Sequence, residues 1–219
     1  MPRTRVLLLT HREVLGELLA EKLSRVPGFS CRRVSTGRDA YQLLRSGAAD
    51  GLLLDPGNPD EDAFGLADRL AKMPRRPPVI ILADAEPMGW VQRAIHARVA
   101  GYLGHSSTVA DVLRAIRAGR KGQRFFTPCA AGDIADMAAG GNGSRLLSRR
   151  EMAVLREMCE GWTTKEIAHS MGLQPKTVDS IRARLMEKTK TARSTALVRY
   201  ACEQRFVDLR PGRLLGKPD

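Results

Sequence analysis

The sequence predicts two domains, a parallel α/β domain over the first two-thirds and a small all-α domain at the end. Three observations carry this. Short continuous apolar runs recur at Val6–Leu9, Leu52–Leu54 and Val79–Leu82, each followed by residues at helical spacing; strands buried on both faces read this way, and the alternation predicts a parallel sheet covered by helices. Residues 138–144 read Ala-Ala-Gly-Gly-Asn-Gly-Ser, the composition of a flexible boundary. Beyond that run apolar residues recur at three-and-four spacing, the mark of helices. Five βα units in about 120 residues match a flavodoxin-like doubly wound (βα)5 sheet, whose crevice lies outside the carboxyl ends of its strands.

The elements follow in order. Val6–Leu9 is the first buried strand, and Val14, Leu15, Leu18, Leu19 and Leu23 follow at helical spacing. Pro27-Gly28 breaks that helix. Cys31–Val34 is a second strand, Asp39–Leu44 a short helix closed by Gly47, and Leu52–Leu54 a third strand ending at Asp55. A loop with Pro56, Gly57 and Pro59 leads to a helix over 62–72. Pro77-Pro78 leads into Val79–Leu82, Trp90–Arg98 is helical, and Gly101–Leu103 is the last strand. Val109–Ala118 closes the domain with Val112, Leu113 and Ile116 inward. The topology places Thr10, His11, Asp55, Ala83, Asp84 and His105 at the crevice. Residues 128–137 read as a further short helix.

In the all-α domain, Ser148 and Glu151 have capping-box spacing and open a helix with Val154, Leu155, Met158 and Cys159 inward. Thr163 and Glu166 repeat the spacing ahead of Ile167, Ala168 and Met171, and Gly172 ends that helix. Pro175 suits the first turn of the next helix, where its missing N–H costs nothing. That helix buries Val178, Ile181 and Leu185 and leaves Lys176, Thr177, Asp179, Ser180, Arg182, Ala183, Arg184 and Lys188 on its other faces. A fourth helix begins at Arg193-Ser194-Thr195 and carries Leu197, Val198, Tyr200 and Ala201. Two capped helices, a glycine turn and a basic second helix make a helix-turn-helix pattern. From periodicity alone, a plain helical hairpin with a solvated basic side fits equally well.

The formal net charge is +12, and residues 146–219 hold 15 Lys+Arg against 9 Asp+Glu. That balance favours an anionic partner, nucleic acid before acidic membrane. Cys31, Cys129, Cys159 and Cys202 are scattered without CxxC spacing, so free thiols in a reducing compartment are expected rather than a disulfide or zinc framework. The first apolar run is only four residues long before His11, Arg12 and Glu13, too short for a signal or membrane span. A cytoplasmic protein without membrane contact is expected. No phosphate-cradling glycine loop, nucleophile elbow or metal-ligand cluster supports an enzyme, so no catalytic residue, cofactor or metal is assigned.

Two stretches resemble known families. LLLDPGNPD at 52–60, PPVIIL at 77–82 and AGYLGHSS at 100–107 resemble the receiver domain of bacterial response regulators. LSRREMAVLREMCEGWTTKEIAHSMGLQPKTVDSIRARLMEKTKTARSTALVRYA at 147–201 closely resembles the LuxR-type helix-turn-helix of NarL/FixJ regulators. The resemblance implies a receiver-like domain at 1–122, a linker at 123–145, a LuxR-type DNA-binding domain at 146–209 and a tail at 210–219.

In receivers, an acidic pair and an Asp hold Mg²⁺, the Asp accepts a phosphoryl group, a Thr or Ser binds it and a Lys neutralises it. Here Asp55 stands at the phosphoacceptor position, Thr10 and His11 replace the acidic pair, Ala83 replaces the Thr/Ser, and His105 replaces the Lys; Asp84 stands beside them. Mg²⁺ favours carboxylate oxygens, and phosphoryl transfer depends on charge neutralisation. A degenerate receiver that is not switched by Mg²⁺-dependent aspartyl phosphorylation is therefore expected. Within the helix-turn-helix, Ile181 stands where the family usually has His, and Thr189 replaces a usual apolar residue.

The resemblance further implies that the third helix enters the major groove of double-stranded DNA, as a dimer on an inverted repeat. Lys165, Thr177 and Lys188 are expected on phosphates, at most one of Arg182 and Arg184 on a guanine edge, Ser180 and Ala183 at base edges, and Asp179 orienting an Arg or accepting from cytosine. A sequence-specific transcriptional regulator is the leading expectation, with RNA polymerase as a further candidate partner. The alternatives are a partner that heterodimerises with another response regulator and a ligand-sensing pseudo-receiver. Homodimer and heterodimer stay open.

Overall fold

A computed structural model describes residues 3–58, 62–84, 87–127 and 147–207. The expected helix at 128–137, the glycine-rich run and the tail at 210–219 lie outside the described residues. The described residues form two compact units, one of 3–84 and 93–127, the other of 87–92 and 147–207.

Residues 3–127 follow the order β1(Thr4–Leu9), α1(Glu13–Ser24), β2(Phe29–Val34), α2(Gly37–Arg45), β3(Gly51–Leu54), α3(Ala63–Ala71), β4(Val79–Leu82), α4(Met88–His96), β5(Gly101–Leu103), α5(Val109–Arg120) and β6(Phe125–Phe126). The strands are all parallel in the order β2-β1-β3-β4-β5-β6. This is the doubly wound arrangement expected from the βα alternation, with β6 added beyond β5. Phe125–Phe126 lies in the stretch read as the start of the linker, and two residues are too few to display a strand period. Leu52, Leu53, Leu54, Ile80 and Ile81 are fully buried, as strands covered on both faces require.

The helical spacing on α1 is borne out as a helix, but its apolar residues divide between core and surface. Val14, Leu15 and Leu18 are 71, 58 and 57% exposed, and the helix turns Gly16, Ala20 and Leu23 inward. The reason is close approach: a Cβ at Gly16 would lie 2.8 Å from both Arg33 Cδ and Thr10 Cγ2. Gly16 and Ala20 bring this helix onto the sheet beside Leu23, with Leu19 packed against the core, and Val14, Leu15 and Leu18 are left outside.

The second unit holds α6(Arg149–Cys159), α7(Thr164–Ser170), α8(Pro175–Thr189) and α9(Ser194–Glu203). Its core gathers Leu147, Val154, Leu155, Ile167, Val178, Ile181, Leu185 and Leu197. Both expected capping boxes are formed, at Ser148–Glu151 and Thr163–Glu166. Gly172 takes φ +62° in the turn, and Pro175 opens α8. Ile181, at the position where His is usual, is a core residue at 1% exposure. The Thr189 hydroxyl donates to the Leu185 carbonyl at 2.7 Å, so this polar substitution is satisfied within its own helix. No helix of the described residues is long and apolar enough to cross a membrane.

Candidate functional site

Asp55 follows β3 at the carboxyl edge of the sheet and is buried. Its backbone N–H donates to the Leu9 carbonyl at 3.0 Å, which fixes it beside the end of β1. Both side-chain oxygens are engaged: Oδ1 accepts from the Gly57 N–H at 2.9 Å, and Oδ2 accepts from the Thr10 hydroxyl at 2.8 Å. Thr10 is itself buried, and its Oγ1 also accepts the Arg12 N–H at 3.2 Å. His11 Nδ1 stands 3.6 Å from Asp55 Oδ2. Ala83 is buried and donates its N–H to the Leu103 carbonyl at 2.9 Å. His105 is exposed on the rim.

Thr10, Asp55, Ala83, Asp84 and His105 share one cavity of about 250 Å³, walled by Leu8, Leu15, Leu19 and Leu82. Arg12 lines it too and pairs with Asp84; the Asp84 carboxylate raises the guanidinium's already high pKa. Sequence reasoning passed over Arg12, which lies one position beyond the family's acidic pair. The Ser107 hydroxyl is buried in the same cavity without a hydrogen-bond partner among the described residues.

This donor set does not fit Mg²⁺. Asp55 is already bonded by a hydroxyl and an amide, and the second carboxylate, Asp84, is neutralised by the Arg12 guanidinium, so the free acidic oxygens that a hard cation requires are lacking. Among the described residues, no three His, Cys, Asp or Glu side chains are grouped to hold a metal.

In the second unit the inward face of α8 leaves a polar outer face. Lys176, Asp179, Ser180, Ala183 and Arg184 are exposed, Thr177 is half-buried, and Lys165 is exposed near the start of α7. The Ser180 hydroxyl donates to the Lys176 carbonyl at 2.9 Å. Arg184 forms no ion pair among the described residues, whereas two other basic residues of this helix are held internally.

Arg182 donates to the Thr164 hydroxyl at 2.6 Å and to the Ser194 hydroxyl at 2.8 Å, tying α8 to the first residues of α7 and α9. Asp179 accepts from the Thr164 hydroxyl at 3.3 Å and stands 3.9 Å from Arg182. Lys188 donates to Glu151 Oε2 at 2.7 Å. Burial pushes the Glu151 carboxyl up, but the Lys188 ammonium together with the Ser148 amide and hydroxyl outweighs it, and the pKa lies below the usual carboxylate value. This acidic residue therefore caps α6 and anchors α8.

Comparison with known proteins agrees with the geometry. Residues 145–201 match the family described as bacterial regulatory proteins, luxR family. The chain is 30% identical over 164 residues to the transcriptional regulatory protein UhpA of Escherichia coli, covering 75% of this chain and 80% of UhpA. It is 26% identical over 171 residues to BvgA of Bordetella pertussis, a putative positive transcription regulator of virulence factors, covering 75% and 80%. Among solved structures, RcsB from Salmonella enterica serovar Typhimurium bound to promoter P1flhDC superposes with a TM-score of 0.63 at 19% identity, covering 90% of this chain and 97% of that one.

Proposed function

Since the chain belongs to the NarL/FixJ-type, LuxR family of bacterial response regulators and is a DNA-binding transcriptional regulator of that type, we propose that it binds an inverted repeat as a dimer through α8 and is not switched by Mg²⁺-dependent phosphorylation of Asp55. The observation that carries the second half is the occupancy of Asp55: the Gly57 amide and the Thr10 hydroxyl hold its two oxygens, and Arg12 fixes a cation on the same cavity. A phosphoryl group on Asp55 would meet neither a bound Mg²⁺ nor a hydroxyl at position 83, so the family's charge neutralisation is missing. Asp55 instead serves the fold, joining the ends of β1 and β3.

On the DNA side, Lys165, Lys176 and Thr177 supply phosphate contacts, which set register without reading sequence, while Lys188 is engaged by Glu151. Arg184, Ser180 and Ala183 face the base edges. Arg182 and Asp179 hold the helix at its angle. The dimeric, DNA-bound state of the structurally similar RcsB supports this docking.

Incubation with acetyl phosphate and Mg²⁺ followed by intact mass tests the receiver. An unchanged mass is expected; a stable gain of one phosphoryl group on Asp55 refutes it. Footprinting of DNA recovered by genome-wide mapping tests the interface, with a two-fold symmetric footprint from the purified protein expected. A footprint obtained only after adding a second regulator would assign heterodimerisation.

A further inference from the structure

We propose that the opposite, amino-terminal edge of the sheet binds a small phosphorylated molecule of nucleotide size. A groove of about 330 Å³ opens there, between the segments that leave α3, α4 and α5. Its volume is at the lower end of small-ligand sites and is too small for a duplex. Arg76, Arg98 and Arg124 line it, each exposed, and none forms an ion pair among the described residues.

The segments that line the groove are basic, and the nearby carboxylate, Asp50, is taken up by Arg5. Residues 72–78, 96–100 and 118–124 hold Lys72, Arg75, Arg76, Arg98, Arg120, Lys121 and Arg124 and no Asp or Glu. Surface arginines are ordinarily interspersed with carboxylates; three unpaired guanidiniums around one concavity instead concentrate positive potential in it. Arg76 is positioned by donating to the Arg98 carbonyl, which holds two of the three cations at one rim.

The rest of the groove is apolar and firm. Pro77, Pro78, Val79 and Val99 contribute to its walls. A Cβ at Gly119 would lie 2.7 Å from Pro78 Cβ and 3.0 Å from Ala100 Cβ, so the glycine lets the end of α5 close against them. Guanidinium forks recognise phosphate bidentately and stack on planar rings. A phosphate on the arginines with a flat body against the partly exposed Pro78 therefore fits both halves, as in a nucleoside mono- or diphosphate. The Asp55 cavity is a separate feature at the other edge of the sheet, and this inference does not depend on how that cavity is read.

The test is calorimetric titration of the full chain with AMP, ADP, GMP and GDP, and with adenosine, inorganic phosphate and a short DNA duplex as comparisons. Saturable binding of at least one nucleotide is expected, with adenosine and inorganic phosphate weaker by roughly tenfold or more, because each supplies only half of the contacts. Arg98→Gly is the informative variant. Arg98 sits at φ +52°, a conformation glycine adopts freely, so the variant removes the cation while its thermal midpoint stays at or above the parent's. It and Arg76→Ala are each expected to weaken nucleotide binding roughly tenfold, the loss of one charge-assisted contact. Absence of nucleotide binding at millimolar concentration overturns the proposal, as does unchanged affinity in a folded Arg98→Gly/Arg76→Ala double variant. Inorganic phosphate binding as tightly as the nucleotides, or these substitutions weakening the duplex rather than the nucleotides, overturns it as well.

Discussion

Replacing Arg182 with Ala distinguishes a residue that reads DNA from one that holds the reading helix in place. In the structure the guanidinium spans the starts of α7 and α9 through Thr164 and Ser194. Hydrogen bonds from a charged donor contribute about 1.5–3 kcal/mol each, and this side chain is 29% exposed. Discounting for solvent screening leaves about 2 kcal/mol for the two together. In a unit of this size that corresponds to a thermal midpoint lower by about 8–16 °C.

The assays are denaturant unfolding followed by Trp162 fluorescence in a Trp90→Phe background, and fluorescence anisotropy on a selected operator and on scrambled DNA. The expected result is a loss of about 2 kcal/mol in stability with similar proportional losses on both DNAs. A direct base contact would instead cost about 1–3 kcal/mol on the operator alone. Stability unchanged within about 0.5 kcal/mol, combined with a loss confined to the operator, refutes the positioning role.

Further expectations follow from the same geometry. Arg184→Ala, on the exposed face, is expected to leave stability within about 0.5 kcal/mol and to lower operator affinity, measured in the same two assays. The depressed Glu151 carboxyl contributes stability that is fully present above its unfolded value of about 4.5 and is lost as pH falls through the lower folded value. Unfolding midpoints taken across that window should therefore fall in the parent and flatten in Glu151→Gln. Burial pushes the Cys31 and Cys159 thiols up to about 12; since the thiolate is the reactive form, both should resist a thiol reagent at pH 8 until the chain is unfolded, as followed by peptide mass mapping. On α1, Leu18→Ser should change stability by less than about 0.5 kcal/mol, while Leu23→Ala should cost about 2–5 kcal/mol; equal costs would place the Leu18 stripe inside.

Much of the fold was legible because its signals are local and redundant. The buried strands are short apolar runs, and Ser148, Thr163, Gly172 and Pro175 mark the helix ends by their own capping and turn chemistry. What escaped depends on tertiary contact. Of the five apolar residues at helical spacing on α1, Leu19 and Leu23 meet the core while Val14, Leu15 and Leu18 do not, because the pattern cannot show that Gly16 lets the helix approach the sheet closely. At the site, the replacement of four receiver positions could be read from Thr10, His11, Ala83 and His105, but not that Thr10 bonds Asp55 or that Arg12 reaches Asp84. A basic residue on a recognition-type helix reads as a DNA contact until its partners are known, and Arg182 and Lys188 find theirs on other helices 12 to 37 positions away in the chain.

The central claim is that this regulator reads DNA without a phosphorylated receiver. Operator affinity of the purified chain, measured by anisotropy in EDTA and again with acetyl phosphate and Mg²⁺, tests it most directly. The account predicts the same dissociation constant in both; a tenfold or greater tightening with acetyl phosphate that disappears in Asp55→Asn would contradict it.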